Sequence, residues 1–269
     1  MKLIVFFSAF LSSALSKNID NFHSNNSPHS STIRSSAAPL QFKHGTTTLS
    51  FLVRVNGKVG VLLAVDSRAS MGSFVSSSTV NKVLPVTKNI LATMAGGAAD
   101  CAQWIRQIRS VVGVWELEAG DRNDNGERER ERGGGTGVRK VSRVLANALY
   151  SSGGGDLSIG TMVCGVDEVD GASIYYVDNM GMRVRGNRFS VGSGATYAIG
   201  VLDECCRENG GGGGDVIPEM SLEEAVKVGI KAIKAATYRD AYSGGFVNVY
   251  FISEHGWTKK FSGDVHSGS

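Results

Sequence analysis

The sequence predicts an α+β fold in which antiparallel sheets stack face to face with a helical layer on each outside. Three observations carry that prediction. The elements run strands, two helices, strands, two helices, strand, an order that fits segregated layers better than alternating βαβ units. Residues 48–55 alternate, with Leu49, Phe51, Val53 and Val55 apolar and Thr48, Ser50 and Arg54 polar, the period of a strand with one buried face. Beyond the turn dipeptide Asn56-Gly57, residues 59–65 form an almost unbroken apolar run, as expected of a strand covered on both faces.

Size and composition are compatible with one large domain. The 269 residues are 42% hydrophobic, enough for a substantial core. A net charge of +3 spread along the chain gives no footprint for nucleic acid. The four cysteines, Cys101, Cys164, Cys205 and Cys206, have neither metal-site spacing nor the pattern of a disulfide framework, which points to a reducing compartment. At the other end of the argument, Lys2 followed by the apolar run 3–15 has the outline of a secretory signal, too short to span a bilayer as a helix. Residues 16–38, rich in Ser, Asn and His, read as disordered, so a signal or part of a propeptide both fit the leader.

Taken in order, the chain places its chemistry at element ends. In His44-Gly45-Thr46-Thr47-Thr48-Leu49, a cut after Gly45 would leave Thr46 with a hydroxyl and a free α-amine, a nucleophile carrying its own base. The plainer reading is that β-branched threonines suit a strand start. Asp66 closes the second strand at the edge of the core and needs a partner to stay charged there. Residues 70–78 read as a small-residue loop or ribbon, and 79–83 as a strand carrying Lys82, ordinarily a solvated edge charge unless it lies near Asp66.

Residues 90–94 form the next strand and run into Ala95-Gly96-Gly97-Ala98-Ala99-Asp100, where glycines permit a sharp turn before helical spacing through Val112. Residues 116–137, charged and then glycine-rich, read as an exposed insertion. Helix 138–150 follows, then strands at 157–166, 172–177 and 183–191. Gly192-Ser193-Gly194 is a tight strand-to-helix junction, where a serine most often serves as an N-cap. After the helix at 195–205 and a glycine loop at 210–214, Ser221 and Glu224 form a capping box opening a helix to about Thr237, and residues 246–252 close the chain as a strand.

In register along the chain stand six motifs: His44-Gly45-Thr46-Thr47-Thr48-Leu49, Ala64-Val65-Asp66-Ser67-Arg68-Ala69, Thr93-Met94-Ala95-Gly96-Gly97-Ala98-Ala99-Asp100-Cys101, Ser158-Ile159-Gly160-Thr161-Met162, Ser190-Val191-Gly192-Ser193-Gly194 and Arg239-Asp240-Ala241-Tyr242-Ser243-Gly244-Gly245. With these the chain resembles the β-subunits of the proteasome, of the type-5 kind with chymotrypsin-like activity, over roughly residues 45–265. The resemblance implies the four-layer αββα sandwich of N-terminal-nucleophile hydrolases and a threonine endopeptidase.

By the same resemblance residues 1–45 are a propeptide removed autocatalytically, and 46–269 a catalytic domain with insertions near 118–137 and 209–214. Thr46 is then the nucleophile. Asp66 and Lys82 form the charged pair beside it, Ser193, Asp240 and Ser243 position the α-amine and a water, and the Gly96 N–H stabilises the oxyanion. Ala69, Ser70, Val80, Met94, Gly96 and Ala98 would contact substrate, a set small and flexible enough to admit large apolar side chains. Alone, Met94 would be ordinary core filling.

The implied partners are other proteasome α and β subunits in stacked seven-membered rings and unfolded polypeptide substrate, with no nucleic acid, membrane, metal or organic cofactor. The implied location is cytoplasm and nucleus, which recasts the leader as a divergent propeptide or as residues upstream of the true start. Ser70 stands where many relatives have threonine and Asn81 where many have a basic residue. Two alternatives remain: a catalytically silent structural β-ring subunit, suggested by the insertions, and a stand-alone N-terminal-nucleophile amidase, suggested by residues 2–16.

Overall fold

The computed structural model describes residues 45–71, 74–120, 136–153, 157–209 and 216–265. The leader, most of the insertion expected at 118–137 and nearly all of the one at 209–214 lie outside the described residues. In chain order the elements are β1 (Thr47–Val55), β2 (Lys58–Val65), β3 (Ala69–Met71), β4 (Phe74–Ser77), β5 (Val83–Pro85), β6 (Ile90–Thr93), β7 (Ala95–Gly96), α1 (Ala98–Gly120), α2 (Val138–Ser151), β8 (Ile159–Asp167), β9 (Gly171–Asp178), β10 (Arg183–Gly186), β11 (Arg188–Gly192), α3 (Ala195–Glu208), α4 (Leu222–Arg239), β12 (Phe246–Ser253) and β13 (Gly256–Asp264).

Two sheets hold most of the strands. One runs β11-β1-β2-β12-β13 and the other β10-β9-β8-β6-β5, with β7 also paired to β8 and β3-β4 forming a separate ribbon. Every pairing between these strands is antiparallel. Helices α3 and α4 cover the outer face of the first sheet, and α2 covers that of the second. The result is the αββα sandwich expected from the sequence.

Strand β2 shows how the apolar run builds two cores at once. Val61, Leu63 and Val65 pack between the sheets with Leu91, Met162 and Ile174, while Leu62 and Ala64 face Ala198, Leu202 and Ile233 of the helical layer. A central antiparallel strand covered on both faces thus reads like one from a parallel sheet. The β1–β2 hairpin turns on Asn56 and Gly57, both at positive φ (51° and 78°), the backbone that matches strand twist. Helix α4 opens on the complete capping box, with Ser221 and Glu224 bonding reciprocally.

Several expectations need correction. Strand β1 is buried on both faces, because its polar residues lie against the second sheet: Ser50 donates to Met162 Sδ at 3.0 Å and is fully buried. The strand expected over 79–83 begins only at Val83, leaving Lys82 on irregular chain. Helix α1 continues to Gly120, into the segment read as insertion. The single strand expected at 183–191 is two strands in different sheets, since the Asn187 carbonyl leaves β10 to accept Leu52 N–H of β1. The last strand is a hairpin, β13 returning along β12.

Candidate active site

Thr46 sits immediately before β1, 5% exposed. The neighbouring strand β11 pairs Gly192 with Thr47, and a Cβ on Gly192 would lie 2.0 Å from the Thr46 carbonyl oxygen. With φ at 112°, that position accepts only glycine comfortably. Close backbone approach here places Ser193, the next residue, against the Thr46 nitrogen, whose N–H donates to Ser193 Oγ at 3.3 Å. Ser193 therefore does not cap α3; the N-cap is Gly194, which has no side chain to bond the helix.

On one side of Thr46 lies a buried ion pair. The Asp66 N–H donates to the Thr47 carbonyl at 3.1 Å, which fixes the chain as it leaves β2. Lys82 is anchored where Met94 N–H donates to its carbonyl at 2.9 Å. Lys82 Nζ meets Asp66 Oδ1 at 2.6 Å, with side chains 4% and 0% exposed. Asp66 Oδ1 also accepts Thr47 N–H at 2.9 Å, and Oδ2 accepts Gly244 N–H at 3.0 Å and Arg68 N–H at 3.3 Å. Four donors thus meet this buried carboxylate and compensate its removal from water. Burial pushes the Lys82 ammonium below its ordinary pKa of 10.5, and Asp66 only partly holds it up.

On the other side, Asp240 stands just past the end of α4 and collects hydroxyls. Its Oδ2 accepts Ser193 Oγ at 2.5 Å and Ser243 Oγ at 2.6 Å, while Oδ1 accepts Tyr242 N–H at 3.1 Å. The structure thus joins Ser193, Asp240 and Ser243 into one network ending at the Thr46 nitrogen.

The Gly45 carbonyl completes the geometry. It accepts Thr46 Oγ1 at 2.7 Å and Lys82 Nζ at 3.3 Å, so a nucleophile-type hydroxyl and a cation converge on one peptide carbonyl. A cleft of about 320 Å³, counted to its open mouth, is lined by Gly45, Thr46, Lys82, Arg68 and all six residues expected to meet substrate: Ala69, Ser70, Val80, Met94, Gly96 and Ala98. Gly96 has φ 108°, and a Cβ there would lie 2.1 Å from the Ser158 carbonyl oxygen. Among the described residues no acidic side chain lines the cleft.

Chemically the arrangement offers a hydroxyl, a lysine brought nearer neutrality, a carboxylate that orients it, and a second carboxylate network at the nitrogen. All four cysteines are free and buried, and burial holds Cys101 and Cys164 at about 12 and Cys206 at about 11, so these three thiols are not nucleophiles at neutral pH. Two residues in the site escaped the sequence reading. Arg68 lines the cleft and donates from Nη1 to the Ala241 carbonyl at 3.2 Å, and its position two residues after Asp66 was the available signal. Thr47 is fully buried with its hydroxyl 2.7 Å from Ser243 Oγ, a contact across the whole domain that no local pattern announces.

Comparison with known proteins gives a consistent result. Residues 42–252 match the family model described as proteasome subunit. The chain is 44% identical over 223 residues to proteasome subunit beta type-8 of Canis lupus familiaris, covering 83% of this chain and 71% of that protein. It is 44% identical over 225 residues to proteasome subunit beta type-5 of Dictyostelium discoideum, covering 84% and 72%. Against proteasome subunit beta type-5-A of Arabidopsis thaliana it is 43% identical over 226 residues, covering 84% and 72%.

Proposed function

The chain belongs to the proteasome subunit family, and from that premise we propose that it is a catalytic β-subunit of the 20S core, a threonine endopeptidase that cleaves after large apolar residues. The observation that carries the proposal is the convergence of Thr46 Oγ1 and Lys82 Nζ on the Gly45 carbonyl, with Lys82 held by buried Asp66.

In maturation, Thr46 Oγ attacks the Gly45 carbonyl carbon and its proton passes to Lys82 in the neutral form. Collapse breaks the Gly45–Thr46 C–N bond, the Thr46 nitrogen takes the proton, and water hydrolyses the resulting ester to release the leader as a carboxylate. A side chain at 45 would interfere, because its Cβ would lie 1.9 Å from Tyr242 Cβ. Glycine there leaves the peptide free to sit against the nucleophile.

In substrate cleavage the same hydroxyl attacks the scissile carbonyl. Lys82 takes the proton, the leaving amine receives one, and a threonyl ester remains. Water then attacks the ester with the freed α-amine as base, and the peptide leaves as a carboxylate. The Gly96 N–H is assigned to the oxyanion, a donor typically worth about 3 kcal/mol in the transition state. Ala69, Val80, Met94 and Ala98 form the pocket for a large apolar side chain, with Met94 adapting to shape. Ser193, Asp240 and Ser243 are positioning residues for the amine and the water.

The subunit assembles with other proteasome subunits. We place it in stacked seven-membered rings of α and β subunits, in cytoplasm and nucleus, acting on unfolded polypeptide, with residues 1–45 as the propeptide. The test is replacement of the nucleophile: the particle carrying Thr46→Ala should retain the leader on this subunit and lose cleavage after apolar residues. Unchanged cleavage would leave only a structural role.

A further inference from the structure

We propose that Thr47 is a positioning residue for the reaction: its hydroxyl donates to Ser243 and holds it in place in the network that joins Ser243, Asp240 and Ser193 to the Thr46 nitrogen. The inference rests on the reading of Thr46 as nucleophile, and it adds a residue to that site.

The direction follows from counting protons. A hydroxyl has one proton to donate, and a carboxylate only accepts. Ser193 Oγ and Ser243 Oγ lie 2.5 and 2.6 Å from Asp240 Oδ2, so each spends its proton there. Ser243 therefore has only lone pairs to offer Thr47, and the 2.7 Å contact between their oxygens must run from Thr47 to Ser243. Ser193 likewise has only lone pairs for the Thr46 N–H at 3.3 Å. All the hydroxyl protons point toward Asp240 and none toward the nitrogen. Once the amine is free, Ser193 holds one of its N–H bonds and leaves its lone pair open to take a proton.

Two further observations set Thr47 apart from an ordinary strand residue. Its backbone N–H donates to Asp66 Oδ1 at 2.9 Å, the oxygen that holds Lys82, so one residue bonds to both halves of the site. Space is also reserved for its hydroxyl. A Cβ at Gly194 would lie 2.1 Å from Thr47 Oγ1 and 3.2 Å from Asp240 Oδ2, so the strand-to-helix turn must pass this point as glycine. Valine at 47 would keep the shape and strand preference while leaving Ser243 without its donor. Ser243 then keeps its bond to Asp240 but loses the contact that holds it from the other side, and the alignment of the network loosens.

The experiment compares assembled particles carrying Thr47→Val, Thr47→Ser, Ser243→Ala and the Thr47→Val/Ser243→Ala pair, with Thr46→Ala as the inactive reference. Cleavage of an apolar-site peptide gives kcat and KM. Thr47→Val should lower kcat by about tenfold, the scale of one lost buried hydrogen bond, with KM within about twofold. Thr47→Ser should restore most of the rate. In the Ser243→Ala background the valine should cost less than about twofold more, because the two hydroxyls act as one unit.

A Thr47→Val particle with unchanged kcat would overturn the inference, as would serine failing to rescue or the two losses multiplying. If the valine variant does not assemble, Thr47→Ala against Thr47→Ser isolates the hydroxyl without the methyl group, and equal rates overturn it. Activity persisting in Thr46→Ala would instead overturn the nucleophile reading.

Discussion

Lys82→Met keeps a long unbranched side chain and removes its nitrogen, so it separates packing from chemistry at the buried pair. Asp66 loses its shortest contact, 2.6 Å, and keeps the N–H groups of Thr47, Gly244 and Arg68. Removing one partner of a buried pair costs about 3–5 kcal/mol, and three surviving donors argue for the lower end. Adding Asp66→Asn removes the orphaned charge but sets an amide NH2 against the backbone N–H of Thr47 or those of Gly244 and Arg68, so it should recover neither full stability nor activity. A positioned proton acceptor contributes about 10²–10⁴ in rate, so kcat for apolar-site peptides should fall at least about a hundredfold. Processing should fail in parallel, which intact mass reports as a subunit still carrying Gly45. A Lys82→Met subunit that begins at Thr46 and turns over within about tenfold of the parent would refute the role of Lys82.

The same site yields further expectations. Because burial lowers the Lys82 pKa below 10.5 and the reaction needs its neutral form, the acid limb of kcat lies below 10.5; Asp66→Asn removes the largest contributions that raise that pKa and leaves only the weaker pull of Asp240, so any residual activity should have its acid limb at lower pH, and a shift upward would contradict the assignment. Gly45→Ala puts a Cβ 1.9 Å from Tyr242 Cβ and should leave the leader attached in an otherwise assembled subunit; normal maturation by mass would show that the peptide has room to spare. Ala69→Phe should narrow the cleft and lower kcat/KM about tenfold or more for large apolar side chains while sparing small ones, and a uniform loss across substrates would place Ala69 outside the pocket. Native protein at pH 8 should react slowly with a thiol reagent and the unfolded chain should expose all four cysteines; prompt native labelling of Cys101, Cys164 or Cys206 would contradict their burial.

Features set by neighbours in sequence were legible before any fold was in view. Asn56-Gly57 specifies its turn by two backbone conformations, Ser221 and Glu224 bond across three residues, and the run through Val65 could only be buried on both faces. Features set by partners far along the chain were not. The fate of residues 183–191 was decided by which sheet each half could join, and β13, whose residues are mostly exposed, carries no apolar run to mark it.

The site divides the same way. Asp66 and Lys82 each read as an ordinary element-end or edge charge until the fold brings them within 2.6 Å. Ser193 read as a possible helix cap because strand-to-helix serines usually are, and its bond to Asp240 spans 47 residues. The family resemblance supplied those groupings, whereas it gives no role to Thr47, although that residue lies inside the motif that carries Thr46. Its hydroxyl acquires one only because α4 ends beside β1 and delivers Ser243 to it.

The most direct test of the central claim is the N-terminal sequence of this chain recovered from its native particle. A mature subunit beginning Thr46-Thr47-Thr48 would mean that the Gly45 carbonyl has been attacked and Thr46 now carries a free amine beside Ser193. A subunit in the assembled particle that still retains Gly45 would contradict the claim, because Thr46 would then have no α-amine with which to work.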